Sequence, residues 1–183
     1  DVRAQVVQQG READSCKVLT AVMPFIGGSE AEARAKRDRH NALARPELGL
    51  VTLASQLNVD LSPFPLSATL AEIVRSPLIH PAAAEKLLMQ GPDTTLEQLG
   101  RIFASSVRVP QLVGTGVQIA DQLAELFLGD GCDGFVISPA YLPGSFSEFV
   151  ESVIPHLQRK GLFRRAYEGS TLREHLGLAG LKD

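Results

Sequence analysis

The sequence predicts an α/β fold in which strand–helix alternation is interrupted by a helical insertion. Two short apolar runs, residues 17–23 (K-V-L-T-A-V-M) and 134–138 (G-F-V-I-S), have the length and unbroken hydrophobicity of strands buried on both faces. Each is followed by a Pro- or Gly-containing break and then by helix start signals. Between them, residues 46–110 carry apolar positions at short helical spacings and several prolines, with no comparable run. The expected order is helix, strand, helix, helical insertion, helix, strand, helix.

The elements follow from local chemistry. Val2, Val6 and Val7 share one helical face, and Gly10 follows as a stop. No start signal precedes them and the first residue is Asp1, so the sequence reads as a cut chain. Pro24 and Gly27-Gly28 are expected to end the first strand. Ser29 with Glu32 forms a capping box for a helix over 31–44, built from good helix formers. Leu48, Val51, Leu53, Leu57 and Leu61 suggest a short helix and a loop, which Pro63 and Pro65 stiffen. Residues 82–89 read as a second short helix, ended at Gly91-Pro92. Thr94 with Glu97 is expected to start a third, carrying Leu96, Leu99, Ile102 and Phe103.

Beyond the insertion, Thr115 and Gln118 cap a helix whose inward residues are Ala120, Leu123, Ala124 and Phe127. Gly129 and Gly131 stop it. After the second strand, Pro139 and Pro143-Gly144 break the chain. Ser145 with Glu148 is expected to cap a last long helix, with Phe149, Val150, Val153, Ile154 and Leu157 facing inward. Pro155 inside that helix costs about 3 kcal/mol unless it kinks. Residues 162–183 form a docked arm with a short helix near 171–176. Two short strands alone make no stable parallel sheet, so further strands are expected to flank them.

Composition narrows the function classes. Hydrophobic residues are 44% and charged residues 21%, the balance of an ordinary globular chain, and 183 residues can enclose a real core. The net charge of -3, without a long basic run, argues against a general nucleic-acid binder. No apolar stretch approaches the roughly 20 residues that span a bilayer. Cys16 and Cys132 lack CxxC spacing, so neither zinc nor a redox pair is suggested, and a cytoplasmic setting with reduced thiols is expected.

Three stretches carry a resemblance: L-V-G-T-G-V-Q-I-A-D-Q-L at 112–123, D-G-F-V-I-S-P-A-Y-L-P-G at 133–144, and P-H-L-Q-R-K-G-L-F-R-R-A-Y-E-G-S-T-L-R-E-H-L-G-L at 155–178. Together they resemble the C-terminal end of the bacterial luciferase-like, two-component flavin monooxygenases. That group includes nitrilotriacetate monooxygenase, dibenzothiophene sulfone monooxygenase and the pristinamycin-synthesis oxidase. Residues 16–33 (C-K-V-L-T-A-V-M-P-F-I-G-G-S-E-A-E-A) are similar to the preceding barrel strand and its helix; the likeness is weakest over 45–108.

The resemblance implies a (β/α)8 barrel. Residues 17–23 would be strand seven and 134–138 strand eight, with about six strands upstream of Asp1. Residues 1–183 would be the C-terminal part of one barrel domain, with 45–110 a helical insertion and 162–183 a C-terminal arm. It implies FMN, reduced by a separate NAD(P)H-dependent flavin reductase, as co-substrate with O2 in the oxidation of a small organic substrate. A deazaflavin variant of the barrel exists, but the three stretches favour FMN. A homo-oligomer is expected, with no membrane or nucleic-acid partner, and the isolated chain should be inactive without the rest of the barrel. The competing expectation is a non-catalytic helical domain for protein binding, which leaves two buried-type strands unexplained.

Barrel enzymes place active sites at the C-terminal ends of their strands. That selects Met23, Pro24 and Phe25 after one strand and Ser138, Pro139 and Tyr141 after the other as flavin or substrate pocket residues. Packing and turn formation are the plainer roles for the same residues. Many family members carry Met-Pro where Ser138-Pro139 stands, so substrate identity does not carry over. His40, His80, His156 and His175 are scattered and suggest no metal; His80 lies in an insertion that could fold as a lid over substrate. Gly27-Gly28-Ser29 could bind phosphate at a helix start, although a turn and cap suffices. No G-x-S-x-G elbow and no carboxylate pair for acid–base work is present. No catalytic residue is assigned, and the cofactor-binding residues are expected mostly upstream of Asp1.

Overall fold

A computed structural model describes residues 2–178; the final five residues of the expected arm lie outside them. The chain divides into two compact units, one from Asp1–Arg34 with Gln111–Asp183 and one from Ala35–Pro110.

The first unit is built on a parallel sheet of three strands, not two. β1 (Leu19–Ile26) is central, with β2 (Gln111–Gly114) on one side and β3 (Gly134–Ile137) on the other. The upper half of β1 pairs with β2, from Met23 opposite Gln111 to Ile26 opposite Gly114. The lower half pairs with β3, from Leu19 opposite Gly134 to Val22 opposite Ile137. β2 escaped the sequence because Q-L-V-G holds only two apolar residues, too few to read as a buried run. So the neighbour expected from outside is partly supplied from within this chain.

β1 also begins two residues later than expected and runs through Pro24 to Ile26. Parallel strands point the N–H and C=O of alternate residues to alternate sides. The Val22 carbonyl accepts from the Ser138 N–H at 2.9 Å, so residue 24 faces the same, β3 side. β3 has ended by then, and the donor that proline lacks is missed by no strand among the described residues.

Around the sheet, α1 (Val2–Gln8) precedes β1 and buries Val6, while Val2 and Val7 stay exposed. A 3-10 turn at Ala13–Ser15 follows. After β1 comes α2 (Glu30–Ala42), whose Ser29 Oγ accepts the Glu32 N–H at 3.2 Å.

The Ala35–Pro110 unit is helical: α3 (Pro46–Leu57), α4 (Leu70–Ile73), α5 (Pro81–Leu88) and α6 (Leu96–Ser106). Pro46 opens α3 instead of lying idle past α2, as a missing N–H permits at a first helical turn. Thr69 and Glu72 cap the short α4, which lies where a loop was expected. The α6 cap is Thr95 with Gln98, one residue later than expected; the Thr94 hydroxyl donates to the Gln90 carbonyl at 2.9 Å. Leu53, Leu70, Ile73, Leu87, Leu99 and Phe103 form this unit's core, and Ile102 is exposed.

Back in the first unit, α7 (Gly116–Leu128) carries the predicted Thr115–Gln118 box. The last long helix is two: α8 (Gly144–Ser152) and α9 (Ile154–Arg159). Pro155 sits in the first turn of α9, where it breaks no helix hydrogen bond. Val22, Ile26, Ile119, Leu123, Phe149 and Val153 pack sheet against helices, while Phe127 and Val150 are exposed instead of inward. The arm holds α10 (Leu172–His175), capped by Thr171 and Glu174.

Candidate functional site

One predicted residue group lies in the upper, C-terminal half of β1, and the other begins where β3 ends, opposite Val22. β3 leaves the ladder at the level of Val22, and its next residue, Ser138, bonds the Val22 carbonyl. The loop over 138–143 therefore departs beside Met23, Pro24 and Phe25, on the side of β1 that β3 no longer covers. Met23, Pro24 and Phe25 lie within β1, not after it, and all three are buried. Ser138 and Pro139 are half-buried and Tyr141 is exposed.

The loop is held from the start of α8. The Ser145 hydroxyl donates to the Tyr141 carbonyl at 2.6 Å, and the Tyr141 N–H donates to Ser145 Oγ at 3.3 Å. The Tyr141 hydroxyl donates to Glu148 Oε1 at 3.3 Å. Ser145 is thus not the helix cap that its place before Glu148 suggested; Pro143 occupies the cap position and the serine is buried. Sequence reasoning missed its role because capping and loop-tethering serines look alike in one dimension.

Both glycine-rich turns at the strand tops are closed by their own chain. The Glu32 carboxylate takes the Gly28 N–H at 2.9 Å, and Gln118 Oε1 takes the Thr115 N–H at 2.8 Å. A Cβ on Gly27 would lie 2.6 Å from the Ala33 nitrogen, and one on Gly116 2.2 Å from the Ser152 carbonyl oxygen. These glycines serve close backbone packing. The N–H groups of these turns are thus taken by the chain's own side chains and do not form a phosphate cradle.

At the opposite end of the strands, Asp133 joins three segments. One carboxylate oxygen accepts from Arg3 at 2.9 Å and the other from the Val18 N–H at 2.7 Å. The Val18 bond, helped by Arg3, holds this carboxyl below the usual aspartate range. A cavity of about 290 Å³ lies near this end, lined by Leu19, Phe127, Phe135, Leu157, Phe163 and His175 among others. None of the six candidate residues lines it.

The histidines have structural partners. His80 caps α5, its Nδ1 accepting the Ala83 N–H at 3.2 Å while Nε2 meets the Leu57 carbonyl at 3.0 Å. His40 Nε2 lies 2.8 Å from the Ser105 carbonyl. Among the described residues no cluster of three His, Cys, Asp or Glu side chains could hold a metal, and no helix is long and apolar enough to cross a membrane.

No protein-family model matches the chain. Dibenzothiophene-sulfone monooxygenase of Rhodococcus erythropolis is 43% identical over 97% of this chain and 40% of its own length. Nitrilotriacetate monooxygenase component A of Aminobacter aminovorans is 37% identical over 100% of this chain and 41% of its own length. Among solved structures, EDTA monooxygenase from a Chelativorans species matches with a TM-score of 0.69 and 32% identity, covering 97% of this chain and 39% of that one. A riboflavin lyase solved with modified FMN and riboflavin matches with a TM-score of 0.77 and 29% identity, covering 96% and 38%. The chain thus spans about 40% of the length of the curated relatives it matches.

Proposed function

From its kinship as the C-terminal part of the luciferase-like flavin-dependent monooxygenases, we propose that this chain belongs to a protein that oxidises a small organic substrate with O2 and reduced FMN. The observation that carries the reading is similarity along 96–100% of the chain to monooxygenases of several named substrates. Reduced flavin supplies the activation of oxygen in such enzymes; this chain's residues supply walls, orientation and exclusion of water.

In this reading β1 and β3 are barrel strands seven and eight. Their parallel pairing side by side supports it, since consecutive barrel strands are neighbours. β2 then adds to the upper half of β1, residues 45–110 are the insertion and 162–183 the arm. Met23, Pro24, Phe25, Ser138, Pro139 and Tyr141 stand at the barrel mouth, where Tyr141 and Ser138 bound the flavin and substrate pocket. Phosphate contacts come from outside the described residues. A separate NAD(P)H-dependent reductase delivers the flavin, the assembly is a homo-oligomer, and the setting is cytoplasmic.

The test is oxygen uptake by the intact parent with FMN, NADH and a flavin reductase, using dibenzothiophene sulfone and nitrilotriacetate as first probes. Product formation that requires the reductase is expected. A parent that binds no reduced FMN, or that works only with a deazaflavin, overturns the assignment.

A further inference from the structure

We propose that Ser145 is a positioning residue that sets the shape of the reduced-FMN pocket by clamping Tyr141. The inference rests on the reading that the 138–143 loop walls that pocket.

Ser145 is 4% exposed, the single buried polar residue found among the described residues. Its hydroxyl spends both its donor and its acceptor on the backbone of one residue, Tyr141, at 2.6 and 3.3 Å. The Ser145 N–H also donates to the Tyr141 carbonyl, at 3.3 Å. The bond to the Tyr141 carbonyl, four residues back, is the one-turn back-bond common to helical serines, and the bond from the Tyr141 N–H is additional to it. Here the partner lies outside α8 and both of its backbone groups are taken.

The same tyrosine is held twice more. Its hydroxyl reaches Glu148, and its ring covers Gly144 so closely that a Cβ there would lie 2.6 Å from Cε2. Yet the tyrosine is 46% exposed. Core packing does not require such restraint of a residue nearly half in solvent. Fixing an exposed aromatic at its main chain, ring and hydroxyl is what a binding wall requires, because preorganisation spares a ligand the cost of ordering it. Ser138 lies at the other end of the same short loop, its N–H held by the Val22 carbonyl.

The experiment uses the intact parent and reduced FMN, titrated anaerobically, beside thermal unfolding of each variant. Ser145→Ala is expected to weaken reduced-FMN binding about tenfold, the scale of one buried hydrogen bond left unmade. Ser145→Cys, nearly the same size and a weak donor and acceptor, should fall between Ala and wild type, and it carries the test should the alanine variant not fold. Tyr141→Ala and Ser138→Ala probe the wall directly. If these two weaken binding while both Ser145 variants bind as wild type, whatever their Tm, Ser145 is structural and the proposal fails. If all four bind as wild type, the loop is not the flavin wall, and the pocket reading falls together with the role of Ser145.

Discussion

Asp133 shows how one carboxylate can organise a strand start. It pairs with Val18 in both directions, its own N–H donating to the Val18 carbonyl at 2.7 Å, and it holds Arg3 of α1. Its pKa in the folded state is lowered, chiefly by the Val18 N–H. The stabilisation is therefore complete above about pH 4, the ordinary aspartate value, and drains away as pH falls through the lowered one. Asp133→Asn should cost about 1–2 kcal/mol at neutral pH. It should also flatten the acid limb of the stability curve, read by urea unfolding of the intact parent at pH 3 to 7; an unchanged acid limb would show that the bond contributes nothing. Ser138 carries a prediction about specificity. If the hydroxyl faces substrate, Ser138→Met should change the ratio of kcat/KM between the sulfone and aminopolycarboxylate probes by roughly tenfold, the weight of one side-chain contact. Equal ratios would place it outside the pocket.

At the scale of elements, the helical unit depends on two glycines, Gly49 and Gly100. A Cβ on Gly49 would sit 1.9 Å from the Gly100 carbonyl oxygen, and one on Gly100 would sit 2.4 Å from that of Pro46. Helices α3 and α6 cross backbone against backbone, so neither glycine has room for a methyl group. Gly100→Ala gains about 1 kcal/mol of helix propensity and should still destabilise by about 2 kcal/mol or more, because overpacking forces the helices apart. Thermal unfolding decides, and a raised Tm would refute the close crossing. A glycine inside an otherwise good helix is the available signal, but it does not name its partner. The cap at Thr95 shows the same limit: Thr94-Thr95 offers two adjacent candidates, and only the hydrogen bonds tell them apart.

For the whole molecule, the sheet remains open. β1 is paired on both sides, yet among the described residues β2 and β3 each have one edge without a strand partner. Leu19 on β1 and Val136 on β3 are exposed, an arrangement that invites association. The chain expressed alone should therefore show no FMN-dependent oxygen uptake and should associate, as sedimentation would reveal. A monomer that turns over reduced FMN would refute the need for further strands.

The sequence by itself determined most of the longer helices and the strands β1 and β3, because 3.6-residue periodicity, start signals such as Ser29 and the Thr115–Gln118 box, and unbroken apolar runs are local properties. It also determined the kinship, since motif residues are read one by one. Tertiary structure alone decided that Gln111–Gly114 is a strand, that Pro24 belongs inside β1, that Pro155 starts a helix, and that Ser145 clamps Tyr141. Each of those depends on which backbone group faces which neighbour across a long separation in the chain or a break between elements, and such pairing leaves no period to read.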